Sequence, residues 1–245
     1  MYLNNLKFFN LHKFFPIILL FILTFTSSEI KLKSPKILAS VVETSTLEVK
    51  INTICRKLKD NNTKLPDLKV LSQALAGFYD LKERGVITKD ILTVVDFTLS
   101  STVKRLWVID LSTNAIVYNT LVAHGRNTGE EFAKLFSNSD SSYKSSLGFY
   151  ATGETYNGKH GVSLKLDGLE KGYNDNARSR GVVVHGADYV SDNFIKSNKR
   201  LGRSQGCPAL PVALTQDIIS IIKNKSCLYI YHSSRDSKFR NVLFS

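Results

Sequence analysis

The stretch Gly181-Val182-Val183-Val184-His185-Gly186-Ala187, followed downstream by Leu201-Gly202-Arg203-Ser204-Gln205-Gly206-Cys207-Pro208-Ala209-Leu210-Pro211, governs the reading of the chain. An apolar, β-branched run that stops at a histidine reads as a buried strand with an imidazole at its end. The cysteine lies between Gly206 and Pro208, with Ser204 three residues ahead of it. Such an arrangement can bring imidazole and thiol together. The base then takes the thiol proton, and the thiolate is the nucleophile. A histidine and a cysteine joined by a connector are more often a strand-end side chain and a core thiol. Glycines beside both, and Ser-x-Gly leading into the cysteine, reverse that preference.

Outward from this stretch, the second half of the chain alternates like a β protein. Residues 91–97, 105–111, 115–123, 148–156, 161–166, 181–185 and 227–232 have strand character, and Ser112-Thr113-Asn114 supplies a turn. Residues 212–223, with Leu214, Ile218, Ile221 and Ile222, read as one late amphipathic helix. Many strands without a βαβ rhythm predict a mainly β, sandwich-like catalytic region over 91–235. Before it, residues 45–90 predict a helical hairpin. Ser45-x-x-Glu48 is a capping box, Leu47, Ile51, Ile54 and Leu58 follow at helical spacing, and Asn61-Asn62 ends the first helix. The second begins near Pro66 and stops at Gly85. Two connectors, 124–146 and 186–201, are long enough to be functional or disordered. The first is rich in Ser, Asn and Lys, so disorder stays open there; the second joins His185 to Cys207 and reads as a cover over the site.

The N-terminus points to export. Lys7 and Lys13 precede a short apolar run over 14–25, and Ser27-Ser28 follow, the layout of a secretory signal over residues 1–28. The run is short for a membrane span and contains Pro16. Cleavage is the expectation, an uncleaved anchor the alternative, and periplasm or cell envelope the destination. A linker over 29–44 and a tail over 236–245 flank the folded part. The net charge of +12 is diffuse and suits either nucleic acid or a polyanionic envelope. Export favours the envelope and argues against nucleic acid. Of the three cysteines, a catalytic Cys207 must stay reduced, leaving Cys55 and Cys227 as two buried thiols in preference to a disulfide.

His185-Gly186 with Ser204-Gln205-Gly206-Cys207 resembles the H-G…[ST]-x-G-C signature of L,D-transpeptidases, cysteine enzymes that remodel peptidoglycan. The likeness is nearer to the murein L,D-transpeptidase catalytic domain proteins. It extends to Ser146-Leu147-Gly148-Phe149-Tyr150, Gly158-Lys159-His160-Gly161 and the Pro208-Ala209 after the cysteine. The resemblance implies the mainly β transpeptidase fold. It also implies a tetrapeptide stem as substrate, cut at an L-centre to D-Ala bond, with the acyl group passed to an amine. Transfer to water, an L,D-carboxypeptidase, is the alternative. His185 and Cys207 are the expected catalytic pair. Gly186 offers a carbonyl to orient the imidazole, a role the resemblance implies. Backbone N–H groups around Gly206 and Cys207 would meet the oxyanion. Ser204 holds the turn or merely forms it. Where the broader family often carries an arginine after the cysteine, this chain has Pro208-Ala209, so Arg203 becomes the candidate cation. Arg203, Tyr156 and His160 are assigned to the substrate cleft. No cofactor and no metal is expected, and the protein is expected to be a monomer.

Rival readings come from other classes. A papain-like peptidase carries its cysteine before its histidine, the reverse of the order here. A sortase lacks this approach to the cysteine. An inactive wall-binding module would have had no reason to retain both His185 and Cys207.

Overall fold

The computed structural model describes residues 47–58 and 64–236. The segments read as a signal and a linker, Ser45 of the expected capping box, the expected Asn61-Asn62 stop and the residues past Asp236 lie outside the described residues. Helix α1 spans 47–58 and buries Ile51, Ile54, Cys55 and Leu58, one stripe at helical spacing. Helix α2, Leu68–Glu83, begins two residues later than Pro66 suggested. Asp67 is its N-cap, accepting from the Lys69 N–H at 2.9 Å, and Pro66 stays outside. Gly85, at φ +69°, ends it. The Gly85 N–H returns to the Lys82 carbonyl and the Val86 N–H to that of Leu81, a Schellman closure.

The sheet follows: β1 Ile91–Asp96, β2 Leu106–Asp110, β3 Ala115–Thr120, β4 Gly148–Gly158, β5 Gly161–Gly168, β6 Val183–Gly186, β7 Ala209–Leu210 and β8 Cys227–Tyr231. Its order is β3-β2-β1-β8-β4-β5-β6-β7, with β1–β8 and β6–β7 parallel and the other pairs antiparallel. Two further helices, α3 Asp192–Asn198 and α4 Val212–Ile222, sit on either side of β7 in the chain.

The central strands are buried on both faces, so period two sorts their apolar residues into two cores. Leu92, Val94, Trp107, Ile109, Phe149, Tyr229 and Tyr231 pack with α1 and α2. Their neighbours Val95, Leu106, Val108, Tyr150, Leu228 and Ile230 pack on the opposite face with Ile218, Ile219 and Ile222 of α4. Beyond β3 the chain runs on to Ala123, which pairs antiparallel with Ala209 of β7 through N–H···O bonds of 2.9 and 3.3 Å. The two ends of the sheet thereby meet. The expected mainly β fold is realised as one sheet curled nearly to a barrel, with the helical pair and the late helix in place. Near-closure also covers edges that would otherwise offer unpaired backbone groups.

Cys55, on α1, and Cys227, on β8, form no disulfide, and both are buried in the core that α1 and α2 share with the sheet. Among the described residues, no helix is long and apolar enough to cross a membrane.

Candidate active site

Strand β6 ends at His185 and Gly186, and β7 lies parallel to it with His185 opposite Ala209 and Gly186 opposite Leu210. That register puts Cys207, two residues before Ala209, beside the start of β6. The Val183 N–H points at Cys207 Sγ at 3.4 Å, and the thiol donates to the Gly181 carbonyl at 3.7 Å. Both His185 and Cys207 line one pocket of about 490 Å³. Among the described residues no hydrogen bond joins the thiol directly to the imidazole. In this resting arrangement the sulfur's proton is turned toward Gly181.

His185 is buried, and its Nδ1 lies 2.8 Å from the Gly186 carbonyl oxygen. A carbonyl only accepts, so Nδ1 carries the proton and Nε2 is the basic nitrogen. Gly186 itself tolerates no side chain, because a Cβ there would lie 2.7 Å from Thr215 Oγ1 on α4. The ring of His160, exposed at the β4–β5 turn, stacks on His185 with centroids 4.4 Å apart and planes 21° from parallel. Burial lowers the His185 pKa below the usual imidazole value. The Gly186 bond opposes that shift, and the nearby His160 and Lys159 add to it. Burial raises the Cys207 thiol, against the Val183 N–H, Arg180 and Lys159, which lower it. Both directions favour the uncharged forms of the pair.

The Cys207 turn is fastened from within. Ser204 Oγ accepts the Gly206 N–H at 3.0 Å and donates to the Cys207 carbonyl at 2.6 Å. This bears on the expected oxyanion donors. In this arrangement the Gly206 N–H is donated to Ser204, and the N–H of Cys207 lies beside the sulfur. Gly206 also contributes conformation, with φ +123° and a would-be Cβ 2.9 Å from the Lys144 carbonyl oxygen. Its own carbonyl accepts from Ser145 Oγ at 3.1 Å.

The outer wall comes from the long connectors. The first is held throughout: Asn127, Thr128 and Ser145 bond across it, and Ser141 and Tyr143 adopt positive φ where it lines the pocket. Behind it lies a buried Arg105–His124 pair, 2.8 Å apart. The guanidinium can only donate, so His124 Nε2 keeps its proton and faces the Gly129 carbonyl. Burial, aided by Arg105, pushes His124 down to about 4. His124 is thus a support for the strand behind Ser204, whose N–H it receives on its carbonyl at 3.0 Å. The second connector contains α3 and is anchored by Val190 and Leu201 in a small core of its own, with Tyr189 reaching the pocket.

Tyr156, His160 and Arg203 all line the pocket. Arg203 is not a free cation, because Nη1 pairs with Glu130 at 2.5 Å and also donates to the Arg126 and Gly129 carbonyls. The residue that sequence reasoning missed is Arg180, which lines the same pocket from the turn before β6. Nothing in Arg178-Ser179-Arg180 marks one arginine as inward and the other as exposed.

The L,D-transpeptidase catalytic domain model matches residues 62–231, most of the chain and the whole of this site. The chain belongs to the L,D-transpeptidase catalytic domain family. No curated protein matches it. Solved L,D-transpeptidases are similar to it at low identity. The enzyme from Mycobacterium smegmatis is 11% identical with a TM-score of 0.37, covering 58% of this chain and 59% of its own. One from Stackebrandtia nassauensis is 14% identical at 0.35, covering 67% and 65%. L,D-transpeptidase 3 of Mycobacterium tuberculosis is 11% identical at 0.37, covering 58% and 61%. The chain thus spans about three fifths of the length of the first of these.

Proposed function

We propose that this member of the L,D-transpeptidase family is an exported cysteine acyltransferase acting on peptidoglycan stem peptides. The observation that carries the reading is one pocket holding the Cys207 thiol and a His185 whose Nδ1–H is fixed on Gly186, leaving Nε2 as base. The cycle begins as the thiol turns from Gly181 and gives its proton to Nε2. Sulfur attacks the carbonyl carbon of the L-centre to D-Ala bond, and the Cys207 N–H faces the developing oxyanion. The C–N bond breaks, the imidazolium returns its proton to the leaving amine, and D-Ala departs from a thioester. An amine of a second stem then attacks the thioester and passes a proton to the imidazole. The new C–N bond forms as the C–S bond breaks, and sulfur recovers its proton. Tyr156 and His160 flank the acyl donor. The envelope destination rests on the N-terminal signal pattern, and the basic surface suits an anionic wall.

Intact-mass measurement after incubation with a carbapenem tests the nucleophile. One covalent adduct is expected on the wild type and none on Cys207→Ala; absence of an adduct on folded, reduced wild type sinks the reading. A tetrapeptide stem then separates the two outcomes of the thioester, a crosslinked dimer from transfer or a tripeptide from hydrolysis. Recovery of the protein from the envelope fraction, with a mature N-terminus after Ser28, checks export.

A further inference from the structure

Arg180 is oriented entirely by neutral partners. Nη1 donates to the Ser137 carbonyl at 3.0 Å and Ser146 Oγ at 2.5 Å; Nη2 donates to Ser142 Oγ at 3.1 Å and the Lys144 carbonyl at 2.9 Å. Its Nε is buried without a hydrogen-bond partner. Among the described residues, no carboxylate lies within ion-pair distance of it. The other arginine that lines the pocket, Arg203, is matched by Glu130, which it shares with Arg200; nearby, Arg178 holds Asp167 and Glu154, while Arg126 lies over the Tyr143 ring. A guanidinium left without a counter-ion inside a fold is an unused positive charge, and it retains its full attraction for any anion that forms nearby.

The anion that can form there is the Cys207 sulfur. Sγ rests on the carbonyl of Gly181, the residue directly after Arg180. Nη2 lies 3.6 Å from where a Cβ on Gly206 would stand, so the guanidinium sits under the peptide that leads into Cys207. The other groups facing the sulfur serve this purpose less well. Lys159 and His160 are exposed at a hairpin turn, burial works against a charge on His185, and Tyr189 is a phenol. At the mouth Asp140 is exposed, and Arg203 is already neutralised. We infer that Arg180 is the fixed counter-charge of the Cys207 centre: a positioning residue that stabilises the thiolate through space while its four donors tie the 137–146 segment to the catalytic turn. It would supply, from before β6, the cation absent after the cysteine. The inference rests on Cys207 being the nucleophile, but its test needs no turnover.

The measurement is the rate of Cys207 alkylation by iodoacetamide across pH 6–10.5, with the modified peptide identified by mass so that buried Cys55 and Cys227 do not interfere. Removing a nearby opposite charge shifts a thiol by about one pH unit. Arg180→Gln is therefore expected to alkylate roughly ten times more slowly than wild type on the acid side of the profile, with the two curves converging at high pH. Arg180→Lys keeps the charge with fewer donors, and its profile is expected within about threefold of wild type throughout, well short of the shift seen on losing the charge. Coincident wild-type and Arg180→Gln profiles overturn the inference. So does a Lys variant as slow as the Gln variant, which would make the role one of scaffolding alone. Should Arg180→Gln not fold, a Lys profile about tenfold slower than wild type on the acid side overturns the inference, and one within about threefold sustains it. An Arg180-dependent profile with no carbapenem adduct would leave this inference standing and remove the proposed reaction; the reverse pattern would do the opposite.

Discussion

His185 and Cys207 set the pH behaviour of the centre. Burial lowers His185 below the ordinary 6.5 and raises Cys207 above the ordinary 9.0. A base must be unprotonated to act, so activity is lost as pH falls through a value under 6.5. The thiol supplies its proton to the imidazole only while it still holds one, which places the alkaline limb above 9. Carbapenem acylation is expected to be flat between these limits. An acid limb centred above pH 6.5 would contradict the lowered imidazole, and an alkaline limb well below 9 would mean that the resting pair is already thiolate and imidazolium. Both residues were legible in the chain because glycines mark their turns. Arg180 was not, since its meaning depends on the lack of a carboxylate partner, a property of the surroundings and not of the residue.

The turn from Ser204 to Cys207 shows how a short element can carry more chemistry than its neighbours. Ser204 is the acceptor for one backbone N–H and the donor to one carbonyl, and it spans the nucleophile. In Ser204→Ala both groups lose their partner, at about 1 kcal/mol or more each. The acylation rate is expected to fall roughly tenfold to thirtyfold. The Gly206 N–H would then also be free to wander from its fixed place. A variant with unchanged acylation kinetics would reduce Ser204 to a turn former. The S-x-G-C spacing made this loop visible in sequence. Strand β7 was invisible, because two residues cannot display a period of two, and α3 was too short to display one of 3.6.

The whole molecule depends on contacts between distant parts of the chain. Glu170, in the loop after β5, meets Arg235 past β8 in a buried bidentate pair, with Nη1 3.1 Å from Oε1, and also accepts the Phe149 N–H. Arg235→Ala would leave Glu170 buried without its cation, and a loss of about 3–5 kcal/mol in urea unfolding is expected. A change under about 1 kcal/mol would show that water reaches the carboxylate. The helical pair is likewise part of the same fold, since Trp107 Nε1 donates to the Lys64 carbonyl just before α2 and the sheet's outer core continues into both helices.

Local chemistry along the chain was enough to announce a β-rich fold, a late helix, two leading helices and a histidine–cysteine pair, because period, branching and glycine placement act over a few residues. Closure of the sheet through Ala123 and Ala209, the commitment of the Gly206 N–H, the neutralisation of Arg203 and the isolation of Arg180 came from partners far apart in the chain. Hydrogen bonds and charges are satisfied by whatever lies nearby in space, and sequence spacing does not record that.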